Sequence, residues 1–177
     1  MGNNKVLISI EFDKNLIKAK KKLKDLNFNR QDSVDFKGLS GWVYEKTIQD
    51  CLKTRFELDG HDFIFTEQCK LRTVDVDSKG IIDLKIENKV NKKIVLIEIK
   101  TSGLFSANDP ERYRVYNNVI GSNTNCTYLY ITGHETCGTY KSKMQLYMGY
   151  DKSFFLDRED DIDEWERFVE TIIAILT

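Results

Sequence analysis

Three residues stand out by type and spacing. Asp83 lies in the apolar run Gly80-Ile81-Ile82-Asp83-Leu84, and fourteen residues separate it from the tripeptide Glu98-Ile99-Lys100. Alternate positions of a strand point to the same face. Glu98 and Lys100 therefore emerge together at the end of a run, Ile94-Val95-Leu96-Ile97, that is otherwise apolar. If the polar stretch Asn88-Lys89-Val90-Asn91-Lys92 is a hairpin turn centred on Val90 and Asn91, Asp83 lies directly across from Glu98. Facing residues have Cβ atoms roughly 4.5–5.5 Å apart, and two carboxylates that close repel each other. A divalent cation between them relieves the repulsion, and all-oxygen ligation suits Mg²⁺ or Mn²⁺. Lys100 beside the pair could orient or help deprotonate an attacking water, or stabilise negative charge developing on a phosphate.

Glu45 is a third acid. It stands on the apolar stripe Gly41, Tyr44, Ile48, Cys51 and Leu52 of a helix predicted from about Leu39 to Arg55, where an apolar residue is expected. If that helix packs on the sheet, Glu45 reaches the same cluster. An acid followed two places later by lysine occurs five times, at Asp35, Asp77, Asp83, Glu87 and Glu98. Glu98 is set apart by the most apolar strand in the chain and by the acid across the hairpin.

The elements that must position these groups are read from periodicity. Val6–Phe12 reads as a short strand and Asn15–Leu26 as a helix, with Leu16, Ala19, Leu23 and Leu26 on one side. Asp62–Leu71 is extended, Val74–Asp77 alternates as a further strand, and Gly80–Glu87 and Lys93–Lys100 are strands joined by the turn. Ile94–Ile97 is apolar on both faces, as a central strand is. Pro110 opens a helix that runs from Asp109 to about Ile120. Cys126–Thr132 and Met144–Tyr150 read as strands, and a last helix begins at Asp160 or Asp161, with Ile162, Trp165, Val169, Ile172 and Leu176 as its stripe. The expected fold is α/β, one mixed sheet flanked by helices.

Asp83, the fourteen-residue gap, Glu98-Ile99-Lys100 and the helical acid Glu45 together resemble the PD-(D/E)xK nuclease superfamily, the restriction-endonuclease-like enzymes. The resemblance covers roughly residues 39–132. It implies a mixed central sheet with flanking helices and Mg²⁺-dependent hydrolysis of DNA phosphodiesters by metal-activated water, with Mn²⁺ as a substitute. It makes Asp83, Glu98 and Glu45 metal ligands and Lys100 the catalytic lysine. Two features depart from the pattern. Ile82, not proline, precedes Asp83, and the helix after the lysine carries Glu111-Arg112-Tyr113-Arg114-Val115-Tyr116 without a glutamine.

Several neighbours suit a nucleic-acid substrate. Thr101 and Ser102 follow the lysine and could touch the scissile phosphate. Arg112, Tyr113 and Arg114 could contact phosphates and stack on bases. His134 follows the Cys126–Thr132 strand, where a general base could stand. Within this reading a restriction-type endonuclease leads. A repair, recombination or mobile-element nuclease, and an inactive nuclease-fold module that binds nucleic acid or a protein, are the alternatives. One such site cuts one strand, so double-strand cleavage favours a homodimer.

Composition narrows the classes further. At 177 residues, 41% hydrophobic and 31% charged, the chain reads as a single domain with a sizeable core. That domain is expected to span 1–177, with a strand and helix at 1–30 and a closing helix at about 161–176. No apolar run approaches the ~20 residues that span a bilayer, and the polar start Met1-Gly2-Asn3-Asn4-Lys5 does not read as a signal peptide. Four cysteines at 51, 69, 126 and 137 form no Cys-x-x-Cys, and with two histidines a zinc site has no support. The cysteines fit small apolar packers in a reducing, cytoplasmic compartment. Neither an organic cofactor nor a membrane is expected. Residues 1–30 hold eight Lys or Arg against three Asp or Glu, whereas residues 151–170 hold three against nine. The basic end could face phosphates and the acidic end could not.

Overall fold

A computed structural model describes residues 7–25, 33–102, 109–133, 136, 138–158 and 161–177. A five-stranded mixed sheet runs in the order β1 (Phe63–Lys70), β2 (Ile81–Asn88), β3 (Ile94–Lys100), β4 (Cys126–Thr132) and β5 (Ser153–Phe155). The first three strands are antiparallel neighbours, and β3, β4 and β5 are parallel. Helices α1 (Ile8–Asp25), α2 (Ser33–Leu58) and α5 (Asp161–Leu176) supply core residues to one face. Helices α3 (Asp109–Gly121) and α4 (Gly138–Met148) supply them to the other. The chain is thus α/β, a mixed sheet flanked by helices. Among the described residues no helix is long and apolar enough to cross a membrane.

The sheet arises where the sequence alternates. On β3, Val95, Ile97 and Ile99 enter the α1–α2–α5 layer and Leu96 the α3–α4 layer, so the strand is buried on both faces. Asn88 closes the β2–β3 turn, where its side-chain oxygen accepts the Val90 N–H at 2.8 Å and its backbone N–H reaches the Lys93 carbonyl at 3.0 Å. The β1, β2, β3 and β4 expectations and that for the last helix hold to within a residue or two.

Three expectations are overturned. The stretch expected as an N-terminal strand is the first turn of α1 in its described part. Ile8, Phe12, Leu16 and Ala19 fall at helical spacing and pack against one core layer, so the 3.6-residue period extends further back than Asn15. Val74–Asp77 is not a strand: a 3₁₀ turn covers Leu71–Val74, Asp75 follows with φ 58°, and Val74 and Val76 are both buried beneath the α3–α4 layer. Met144–Tyr150 is largely α4, with Tyr140, Met144 and Met148 buried four residues apart on one side. The parallel edge strand instead follows it, at Ser153–Phe155. Cys51, Cys69 and Cys126 are free thiols in packed surroundings.

So short a strand needs help to stay in place, and α5 supplies it. Arg167 donates to the Tyr150 and Ser153 carbonyls, both at 2.9 Å, and to Glu164 at 2.6 and 2.9 Å. Its guanidinium lies 4.1 Å from the Phe154 ring centre and 4.4 Å from that of Tyr150. Glu164 in turn accepts the Phe155 N–H at 2.9 Å. Arg167→Ala removes the cation–π contacts and two backbone partners, and it should lower stability by about 2 kcal/mol. A shift of the urea midpoint at unchanged slope reads this, and a shift too small to measure would mean that Arg167 does not hold the edge.

Candidate active site

The register of β2 and β3 pairs Glu87 with Ile94, Ile86 with Val95, Lys85 with Leu96 and Leu84 with Ile97, and the ladder ends at that last pair. The next position along it sets Asp83 against Glu98, as the turn-centred reading requires. On its other side β3 stays paired with β4 as far as Lys100 and Thr132. The end of β3 therefore has a backbone neighbour on one side only, and a buried N–H left there must find another partner. Asp83 supplies it: its Oδ2 accepts the Ile99 N–H at 2.8 Å. The site lies in this opening between the two strands.

Lys100 Nζ lies 2.6 Å from Glu98 Oε1 and 3.6 Å from Asp83 Oδ2. Asp83 and Glu98 are both buried, and Lys100 is half-buried. Glu98 Oε2 is buried and has no hydrogen-bond partner among the described residues. Burial pushes the Glu98 carboxyl above the usual carboxylate range, with Lys100 pulling it down and Asp83 adding to the rise. Burial alone would lower Lys100, but Glu98 and Asp83 outweigh it and hold the ammonium well above its ordinary value. Lys100 is consequently a fixed positive charge at neutral pH in this arrangement.

Glu45 comes from α2. It is half-buried, and its carboxyl is pushed up to about 7 by burial first and then by Asp83, against Lys100, with Glu98 adding to the rise. The three acids and the lysine therefore share one electrostatic neighbourhood. Among the described residues, no three His, Cys, Asp or Glu side chains converge closely enough to hold a metal ion by themselves. Mg²⁺ does not need three, since it is commonly bound by one or two carboxylates with waters and substrate phosphate completing its shell. Asp83 and Glu98 fit that role. Glu98 Oε2, buried and without a partner among the described residues, is an acceptor that a cation could satisfy.

The remaining candidates separate. Arg112 Nη2 stands 4.0 Å from Glu98 Oε1 and donates to the Tyr113 hydroxyl at 2.8 Å. Its guanidinium faces the Tyr113 ring at 4.9 Å while the side chain stays about half exposed. Tyr113 itself is fully buried, with its ring 5.0 Å from that of Tyr130. It is a packing residue under the site and offers no face on which a base could stack. Arg114 points elsewhere, paired with Glu111 and over the Tyr147 ring at 5.6 Å. Thr101 and Ser102 are half-buried at the end of β3. His134 lies outside the described residues. Helix α1 packs on the side of α2 away from Glu45. Its Asn15 donates to Thr47 at 3.0 Å, and Thr47 lies two residues, roughly half a helical turn, from Glu45.

Gly133, which no sequence motif marks, also shapes the site. Its N–H reaches the Lys100 carbonyl at 3.0 Å. A Cβ there would come within 2.2 Å of the Thr101 carbonyl oxygen, so only glycine lets the ends of β3 and β4 lie so close. A lone glycine just past a β-branched strand is the only signal the sequence carries for it.

No family model and no curated protein sequence matches this chain. Its structure is similar to the crystal structure of MunI restriction endonuclease in complex with cognate DNA, with a TM-score of 0.49 and 14% identity over 93% of this chain and 96% of that one.

Proposed function

We propose that the protein is a metal-dependent nuclease that hydrolyses DNA phosphodiester bonds, of the restriction-endonuclease-like kind, with Asp83, Glu98, Lys100 and Glu45 as its site. The observation that carries this reading is the pair of buried carboxylates, Asp83 and Glu98, held by one protonated lysine where the β2–β3 ladder opens. A buried group of like charges is costly to build and is more often found where chemistry needs it than where packing does.

In this reading Asp83 and Glu98 hold the divalent cation, Mg²⁺ or Mn²⁺, and Glu45 adds a third carboxylate. When bound, the metal supplies the Lewis acidity that makes a water nucleophilic near neutral pH. Lys100 keeps its proton among these acids, which favours charge stabilisation over proton abstraction. Its ammonium offsets the negative charge that grows on the scissile phosphate. Arg112, beside Glu98 and partly open to solvent, is the cation best placed to meet a neighbouring phosphate. Thr101 and Ser102 follow Lys100 and contribute hydroxyls at the same end of the sheet. One site cuts one strand, so double-strand cleavage calls for two copies. Neither an organic cofactor nor a membrane enters this scheme.

Incubation with supercoiled plasmid in Mg²⁺, Mn²⁺ or EDTA tests it. Nicking or linearisation that requires metal is the expected result. Calorimetric titration with Mn²⁺ should show binding that disappears in Asp83→Ala. No cleavage of plasmid, single-stranded DNA, branched DNA or RNA, together with no Mn²⁺ heat, would overturn the reading.

A further inference from the structure

The β1–β2 ribbon turns over on itself at the level of the site. Its register is constant, pairing Phe65 with Ile86, Glu67 with Leu84 and Cys69 with Ile82, so no residue is inserted. Residues two apart on a strand ordinarily share a face. Phe65, Ile86 and Leu84 pack in the α1–α2–α5 layer, but Cys69 and Ile82 pack in the α3–α4 layer. Both strands therefore exchange faces between the Glu67–Leu84 pair and the Cys69–Ile82 pair. The two residues at the pivot are Gln68 and Asp83.

Gln68 has φ 49°, a left-handed backbone within an otherwise extended strand. That conformation is unfavourable for a residue with a Cβ and persists where surrounding structure imposes it. Gln68 is exposed, so packing of its own side chain does not account for it. Across the ribbon, Asp83 is the residue that leaves the β2–β3 ladder and caps the Ile99 N–H beside Glu98 and Lys100.

We propose that Gln68 is a positioning residue: its left-handed backbone turns the β1–β2 ribbon over and so delivers the Asp83 carboxylate to the end of β3. The geometric part stands by itself, and its consequence for metal binding rests on the nuclease reading above. What matters is the backbone conformation, not the amide. Glycine reaches that conformation freely and asparagine tolerates it, whereas a β-branched residue resists it.

The test compares Gln68→Gly, Gln68→Asn and Gln68→Val, with Asp83→Ala as reference, by the backbone amide resonance of Ile99 and by Mn²⁺ titration calorimetry. A hydrogen bond to a carboxylate should set the Ile99 resonance, and Asp83→Ala should move it. Gln68→Val is expected to move it the same way and to weaken Mn²⁺ by about tenfold or more, as loss of an orienting partner does. Gln68→Gly and Gln68→Asn should keep the parental resonance and affinity, with no fall in melting temperature for glycine. If Gln68→Val does not fold, Gln68→Thr takes its place. A β-branched variant that folds with the Ile99 resonance unmoved, or a glycine variant that moves it, overturns the proposal. Absence of Mn²⁺ binding in the parent would sink the metal reading alone, because the Ile99 resonance still decides whether Gln68 places Asp83.

Discussion

Lys100→Ala is expected to slow metal-dependent cleavage by about a hundred- to a thousandfold, the usual loss when one preorganised charge facing a transition state is removed. The reason lies in where the ammonium sits. It is 2.6 Å from Glu98 and 3.6 Å from Asp83, which hold it protonated through the neutral range. Its folded-state pKa is raised, so its contribution to stability is complete below the unfolded lysine's pKa and is lost only as pH climbs through the higher native one. No slope at neutral pH should come from it. Alanine leaves the two carboxylates facing each other with their nearest cation gone. Breaking a fully buried pair costs several kcal/mol, and with Lys100 about one-third exposed the loss should be nearer 1–2 kcal/mol. In the proposed reading the same substitution also removes the charge that would compete with a divalent ion for Glu98 and Asp83. Mg²⁺ should therefore raise the melting temperature of the variant by more than that of the parent, even as cleavage fails. Plasmid nicking and thermal melts with and without Mg²⁺ read both effects. Undiminished cleavage would place the active site elsewhere.

That prediction rests on residues that could be found from the sequence, and the reason is local. A two-strand hairpin with a short turn has one register, so locating the turn at Val90 and Asn91 was enough to set Asp83 against Glu98. Helices with a clear stripe, such as α5, were legible for the same reason: one period and one buried side. Other features needed information that does not lie in local pattern. The crossing of the β1–β2 ribbon from one layer to the other is marked by a glutamine, a residue type that carries no left-handed signal. The segment 144–150 mixes Met, Leu and Tyr in a way that fits either period. What decides for a helix is that Tyr140, Met144 and Met148 find a common layer with Tyr130, whose hydroxyl lies 3.0 Å from that of Tyr140. The edge strand β5 is three residues long and is secured by Arg167 and Glu164 from α5, so its own sequence says little. Tyr113 shows the limit of composition: a tyrosine among arginines suggests stacking on bases, but its place on α3 puts it entirely inside.

Glu45 gives the second large effect, and its sign can be worked out in advance. Its carboxyl is pushed from an ordinary 4.5 up to about 7, by burial and by the nearby Asp83 and Glu98, against Lys100. Below the unfolded value both states carry the proton and the site costs nothing. As pH rises from about 4.5 toward 7 the unfolded chain loses its proton while the folded one keeps it, so stability falls across that window and then levels off. Glu45→Gln is neutral throughout. It should flatten part of the decline and leave the variant more stable than the parent above pH 7, with Glu98, also raised, supplying the slope that remains. A cation held by Asp83 and Glu98 favours the ionised form of Glu45. Saturating Mg²⁺ should therefore flatten the parent's slope toward that of the variant. If Glu45 serves the metal, the stabler variant is also the poorer enzyme, with cleavage down by roughly ten- to a hundredfold. Melting temperatures from pH 4.5 to 8, with and without Mg²⁺ and alongside cleavage rates, separate the two roles. Equal slopes in parent and variant would remove Glu45 from the carboxylate cluster. A flattened slope with full activity would keep it there as a neighbour of the site without a part in the chemistry.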